Sequence, residues 1–162
     1  LIDHYVYLAR SGGLKVGVTR YTQIPTRWID QGACQGLIIA QTPNRYLAGV
    51  IEVELMKHFS DKTNWRAMLT NSEPEISLLD ERDRAISALN GELAQYTITD
   101  REILDLYYPV EAYPTKVASL NFDKTPEVEG ILQGIRGQYL IFSDGRVLNL
   151  RTFSGYEVEL SW

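Results

Sequence analysis

The sequence predicts an α+β protein: a small three-stranded antiparallel sheet flanked by helices, then a helical arm, then a small antiparallel β module. Three observations predict it. Apolar and polar residues alternate on both sides of Ser11-Gly12-Gly13, residues 44–58 carry an apolar stripe at helical spacing, and from Tyr107 the period falls to two with frequent turn residues. The boundaries that follow are 1–66 for the α/β unit, 67–106 for the arm and 107–162 for the β module.

In chain order, 4–9 and 14–19 are the arms of a hairpin. From Gln23 the composition becomes helical, with Pro25 in the first turn, where a missing N–H costs nothing, and Ile24, Trp28 and Ile29 forming an apolar edge until Gln31-Gly32-Ala33 ends it. Residues 37–40 suit a buried third strand. In 44–58, Ala48, Ile51, Leu55 and Phe59 make the stripe, Arg45, Glu54 and His58 lie away from it, and Glu52 falls at its margin, where a carboxylate can face a cleft. Ser72-Glu73-Pro74-Glu75 carries a Ser-x-x-Glu capping pattern ahead of Ile76, Leu79, Ile86, Leu89 and Leu93, which predicts a helix to about Gln95. Thr99-Asp100-Arg101-Glu102 repeats the pattern ahead of a shorter helix. Strands follow at 128–135, 138–142, 146–150 and 156–160, with Ser143-Asp144-Gly145 as a hairpin turn.

At 162 residues, with 44% hydrophobic and 23% charged, the composition is that of a globular protein. No apolar run approaches the roughly 20 residues a spanning helix needs, so no membrane role is expected. A single cysteine, Cys34, cannot form an internal disulfide, which points to the cytoplasm. The chain begins at Leu1, not methionine, which leaves room for an upstream segment. The net charge of -5 is uneven: residues 1–66 hold eight Lys and Arg against five acids, the remainder eight against sixteen. A positive first unit suits a polyanion such as DNA or RNA, although scattered surface charge gives the same count. The acidic arm and the β module are the expected places for a protein partner. Tyr139, Phe153 and Tyr156 are available either to stack bases or to pack within the β module. His58, four residues after Glu54, is either half of a metal pair or half of a surface pair; His4 is either a proton carrier or an edge residue.

Tyr5-Val6-Tyr7, Lys15-Val16-Gly17, Arg27, Glu52 and Asn64 occur in an order and spacing that resembles the GIY-YIG nuclease domain. The resemblance implies a three-stranded antiparallel sheet with flanking helices and phosphodiester hydrolysis with one Mg²⁺ or Mn²⁺. By the match, Tyr7 is the first motif tyrosine and orders or deprotonates the attacking water. Arg27 meets the phosphate, Glu52 is the metal ligand, Gly17 is the glycine of the second motif, and Asn64 supports the site. Lys15 stands where active members carry a second tyrosine, and Val18 stands where a cation often follows the glycine. Lys15, Arg20 and Arg27 are the expected nucleic-acid contacts. The alternative is an inactive adaptor that keeps the fold and holds nucleic acid or a protein. Beyond residue 66, 119–130 together with 14–20, 23–33 and 61–66 resemble an uncharacterised bacterial family known as a domain of unknown function.

Overall fold

In the computed structural model, which describes residues 1–162, the chain opens with the expected hairpin. Strand β1 (His4–Arg10) pairs with β2 (Leu14–Arg20) in a register that sets Tyr7 opposite Gly17. Strand β3 (Gln35–Thr42) takes the other side of β1, with a bulge between Val6 and Tyr7. The expected three-stranded sheet gains a fourth, β4 (Leu104–Asp105), giving the antiparallel order β2-β1-β3-β4. Without it the outer edge of β3 would present unpaired backbone groups. Ile98 N–H donates to Ile39 O and Leu106 N–H to Cys34 O. Edge pairing therefore overrides the capping pattern at 99–102, and the helix expected there does not form.

The pleat divides the sheet into two faces. On one, Val6, Leu8, Val16, Leu37 and Ile39 meet Ala48, Ile51 and Leu55 of α2 (Arg45–Leu55) and Phe59 beyond it. Helix α4 (Leu78–Ala88) adds Leu78 and Ala85 to that core, with Leu89 beyond it and Ile76 and Leu93 packed against it; of the stripe expected in the acidic arm, Leu79 instead stays 44% exposed. On the other face Tyr5, Tyr7, Ala9 and Ile38 pack with Ala33 and with Trp28 of α1 (Thr26–Asp30). At five residues α1 is shorter than expected and turns one large side chain fully inward; Ile29 stays 44% exposed.

The second sheet contains β5 (Ala118–Ser119), β6 (Leu132–Arg136), β7 (Tyr139–Phe142) and β8 (Arg146–Asn149) in the order β5-β8-β7-β6. All its pairs are antiparallel except β5 with β8. The Ser143-Asp144-Gly145 turn forms as expected, Asp144 accepting from Arg146 N–H and Gly145 taking a left-handed φ of 90°. No strand forms at 156–160. Strand β5 already occupies the outer edge of β8, and the alternating Val158 and Leu160 remain exposed.

Helix α3 (Trp65–Leu69) joins the two sheets, with Met68 and Leu69 in one cluster with Ile141 and Val147. Tyr139 stacks on Trp65 at 5.8 Å and Phe153 packs edge-on against Phe122 and Tyr156, so Tyr139 and Phe153 serve internal packing, while Tyr156 stays 47% exposed. The strongest tie is Arg136, only 1% exposed. Its Nε donates to Gly32 O at 2.9 Å, Nη1 to Met68 O at 2.8 Å, and Nη2 to both carboxylate oxygens of Glu73 at 2.9 and 3.0 Å. Glu73 also accepts from Gly12 N–H at 2.7 Å. Ser72 is not the N-cap of α4: its hydroxyl meets Thr70 Oγ1 at 2.7 Å, and the cap is Ser77, whose hydroxyl accepts from Asp80 N–H. No helix is long and apolar enough to cross a membrane.

Candidate functional site

Tyr7 and Gly17 are the start of the site. They face each other across the β1–β2 pair, and a Cβ at Gly17 would overlap the ring tip and hydroxyl of Tyr7. The missing side chain is therefore what lets the phenol lie across β2 toward the open rim of the sheet. Trp28 fixes the ring from the helix side, edge to face at 5.7 Å and 77°. The hydroxyl donates to Gln31 Oε1 at 3.1 Å.

Arg27 stands one turn before Gln31 on the same side of the α1 segment, so both side chains reach the Tyr7 hydroxyl. Gln31 makes the well-formed hydrogen bond; Arg27 lies close by with its charge. From the opposite face α2 lies across β2 and β1 and carries Glu52, half-buried beside Ile51. Burial pushes the Tyr7 hydroxyl above the ordinary tyrosine range, the Gln31 bond and the Arg27 guanidinium oppose this, and the negative charge of Glu52 adds to it. The charges of Arg27 and Glu52 thus both act on the Tyr7 hydroxyl, Arg27 from the α1 face and Glu52 from the α2 face. With its pKa raised, Tyr7 is a neutral phenol near pH 7 and can orient a hydrogen-bonding partner, but it is no ready-made base. It is also only 1% exposed, so Gln31 and Arg27 cover its hydroxyl.

The other expected residues are placed as follows. Lys15 shares the Tyr7 face by alternation along β2, yet its Nζ sits 3.6 Å from Asp61 Oδ2. Although burial opposes it, hydrogen bonding from Thr63 and the charge of Lys15 hold the Asp61 carboxyl below its usual range. Arg20 ends β2 on the opposite side of the pleat from Lys15 and Gly17, exposed, and is not brought to Tyr7. Asn64 caps α3, accepting from Arg66 and Ala67 N–H, while its own N–H donates to Gly12 O at 2.9 Å. It anchors α3 to the hairpin turn. Glu54 pairs with Lys57 at 2.7 Å, leaving His58 without a carboxylate partner, and His4 bonds Ile2 O on the α2 side of β1.

None of the six ion pairs involves Arg27 or Glu52. No group of three or more His, Cys, Asp or Glu gathers anywhere. Glu52, unpaired and half-buried, fits only a hard cation that takes one carboxylate and keeps most of its waters, as Mg²⁺ does. Sequence reasoning missed Gln31, treated there as a helix end. The four-residue spacing from Arg27 could have placed it on the same side. A polar cleft of about 370 Å³ opens beside Gln31, walled by Arg27 and Asp30 on one side and by Gln138, Arg151 and Ser154 on the other. No local signal in the sequence links those two groups. No curated protein and no solved structure matches the chain. The family model described as a protein of unknown function, DUF2797, matches residues 1–158, and the chain belongs to that family.

Proposed function

We propose that the chain is a metal-dependent phosphodiester hydrolase of the GIY-YIG type acting on nucleic acid. What supports the reading is that the charges of Arg27 and Glu52 both act on the Tyr7 hydroxyl, from opposite faces of the sheet, and that neither is spent in an ion pair. A half-buried carboxylate without a partner, as Glu52 is, is costly unless a ligand completes it, and the exposed Arg27 guanidinium is free to meet an anion. Glu52 would hold one Mg²⁺ or Mn²⁺, which when bound stabilises charge on the leaving oxygen. Arg27 faces the negative charge that builds on the phosphate, a contribution set up in advance by its place on α1. The Tyr7 hydroxyl, which donates to Gln31 in the free chain, can with a lone pair accept from the attacking water and orient it once it is uncovered. Substrate entry requires the Gln31 side chain to move aside, because Tyr7 is covered.

The decisive experiment incubates the full chain with single- and double-stranded DNA and RNA in Mg²⁺ or Mn²⁺. Cutting is expected, and Glu52→Ala should reduce it to background with an unchanged circular dichroism spectrum. Equal cutting by the variant overturns the reading. A second reading is a non-catalytic nucleic-acid adaptor, favoured by Lys15, which stands in place of a tyrosine and is tied to Asp61. It requires metal-independent, salt-sensitive binding with no cutting by the wild type.

A further inference from the structure

The polar cleft beside Gln31 has two walls from distant parts of the chain. One is α1 and its end, with Arg27, Asp30 and Gln31; the other is the β6–β7 turn and the short 3₁₀ helix Leu150–Phe153, with Gln138, Arg151 and Ser154. The walls are locked together. A Cβ at Gly137 would sit 3.0 Å from Gly32 N and 3.2 Å from Asp30 O, so only a glycine with its left-handed φ of 59° lets the turn abut the end of α1 so closely. The neighbouring Arg136 pins the same contact through Gly32 O. Leu150 N–H donates to Gln138 O at 2.8 Å and the Asn149 side chain accepts from Arg151 N–H at 3.0 Å, which fixes the backbone that carries Arg151.

Both guanidiniums in this cleft are exposed and neither forms an ion pair. Asp30 is the single carboxylate among the lining residues, so the cleft is net positive. Gln138 adds an amide donor suited to phosphate oxygens, while the Ser154 hydroxyl is already donated to Arg151 O at 2.8 Å. We propose that this cleft seats the backbone of a nucleic-acid strand, with Arg151 holding a phosphate next to the one that faces Arg27. The inference rests on the nucleic-acid reading above and adds the C-terminal sheet to the binding surface. It gives that sheet a role: the second jaw of a strand-binding groove whose first jaw is α1.

Fluorescence anisotropy with a labelled single-stranded oligonucleotide, DNA and RNA in turn, tests this in the full chain without divalent metal. Arg151→Gln should weaken binding about tenfold and shallow the salt dependence by about one phosphate contact, with an unchanged melting temperature. Arg45→Gln, an exposed arginine outside the cleft, should change binding less than about twofold. Wild-type binding with no loss in Arg151→Gln overturns the cleft and leaves the nucleic-acid reading standing; a wild type that binds no oligonucleotide at low salt overturns both. A mononucleotide that competes as well as the oligonucleotide, in an Arg151-dependent way, overturns the strand assignment in favour of a single free phosphate group.

Discussion

Two charged arrangements in this molecule answer the cost of burying polar groups in opposite ways. Around Arg136 both terminal nitrogens and Nε have acceptors, and Glu73 has both the guanidinium and Gly12 N–H. Around Tyr7 the phenol has one partner, while Arg27 and Glu52 have no ion-pair partner at all. A network closed on itself holds structure together and has nothing left to offer a ligand. An open one keeps unspent charge and hydrogen-bonding capacity at a rim that solvent and ligand can reach. The contrast separates a structural joint from a candidate site without appeal to residue type, since each contains an arginine and a glutamate.

Breaking the closed network should have the largest effect on stability. Arg136→Met leaves Glu73 buried without its cation and should cost about 3–5 kcal/mol, seen as a lower denaturant midpoint. Adding Glu73→Leu to that variant should recover part of the loss. The recovery is incomplete because Gly12 N–H then loses its acceptor. A loss in the single variant no larger than at an exposed arginine would show that the joint is not closed as described.

The open network is broken most cleanly at a residue with no chemistry of its own. Gly17→Ala places a Cβ on the Tyr7 hydroxyl and ring tip, which Trp28 prevents from swinging inward. It should cost about 1–3 kcal/mol and displace the phenol. Cutting should fall with it, because the hydroxyl no longer sits where it would orient the attacking water. Unchanged stability and unchanged cutting together would mean that the glycine gap does not set the position of Tyr7.

What could be read from the sequence follows the range of the forces involved. The hairpin, β3 and α2 were legible because alternation, helical spacing and the Asn44 cap are local, and so were the Gly17 and Tyr7 positions through their family likeness. The capping patterns at 72–75 and 99–102 misled because other partners took those residues: Thr70 for the Ser72 hydroxyl, and the exposed edge of β3 for residues 97–106. Strand 156–160 failed for the same kind of reason, a sheet edge already filled by β5. Of the candidate site, Tyr7, Arg27 and Glu52 were nameable from the order of the motifs, their roles being proposals. Gln31 and Arg151 were not, the first because a polar residue at a helix end looks like a terminator, the second because only the tertiary joint brings it near α1.

The smallest expected effect concerns Lys15, the residue that departs from the two-tyrosine pattern. Its pair with Asp61 is partly exposed and contributes about 0–1 kcal/mol, so Asp61→Asn should leave stability nearly unchanged. Freed of Asp61, Lys15 can turn toward a phosphate on the Tyr7 face, and oligonucleotide binding should tighten by up to about fivefold. Removing an acid near the site would also tighten binding by itself. The Lys15→Ala, Asp61→Asn double variant separates the two: a gain that survives belongs to the lost negative charge, and a gain that disappears belongs to Lys15. The pH dependence gives an independent check of sign. Asp61 has a lowered pKa in the folded chain, so the pair's contribution is present above the ordinary carboxylate range and is lost as pH falls through the lowered value. Wild type and Asp61→Asn should therefore differ in binding at neutral pH and converge in acid, and a difference that persisted in acid would place its cause somewhere other than the Lys15–Asp61 pair.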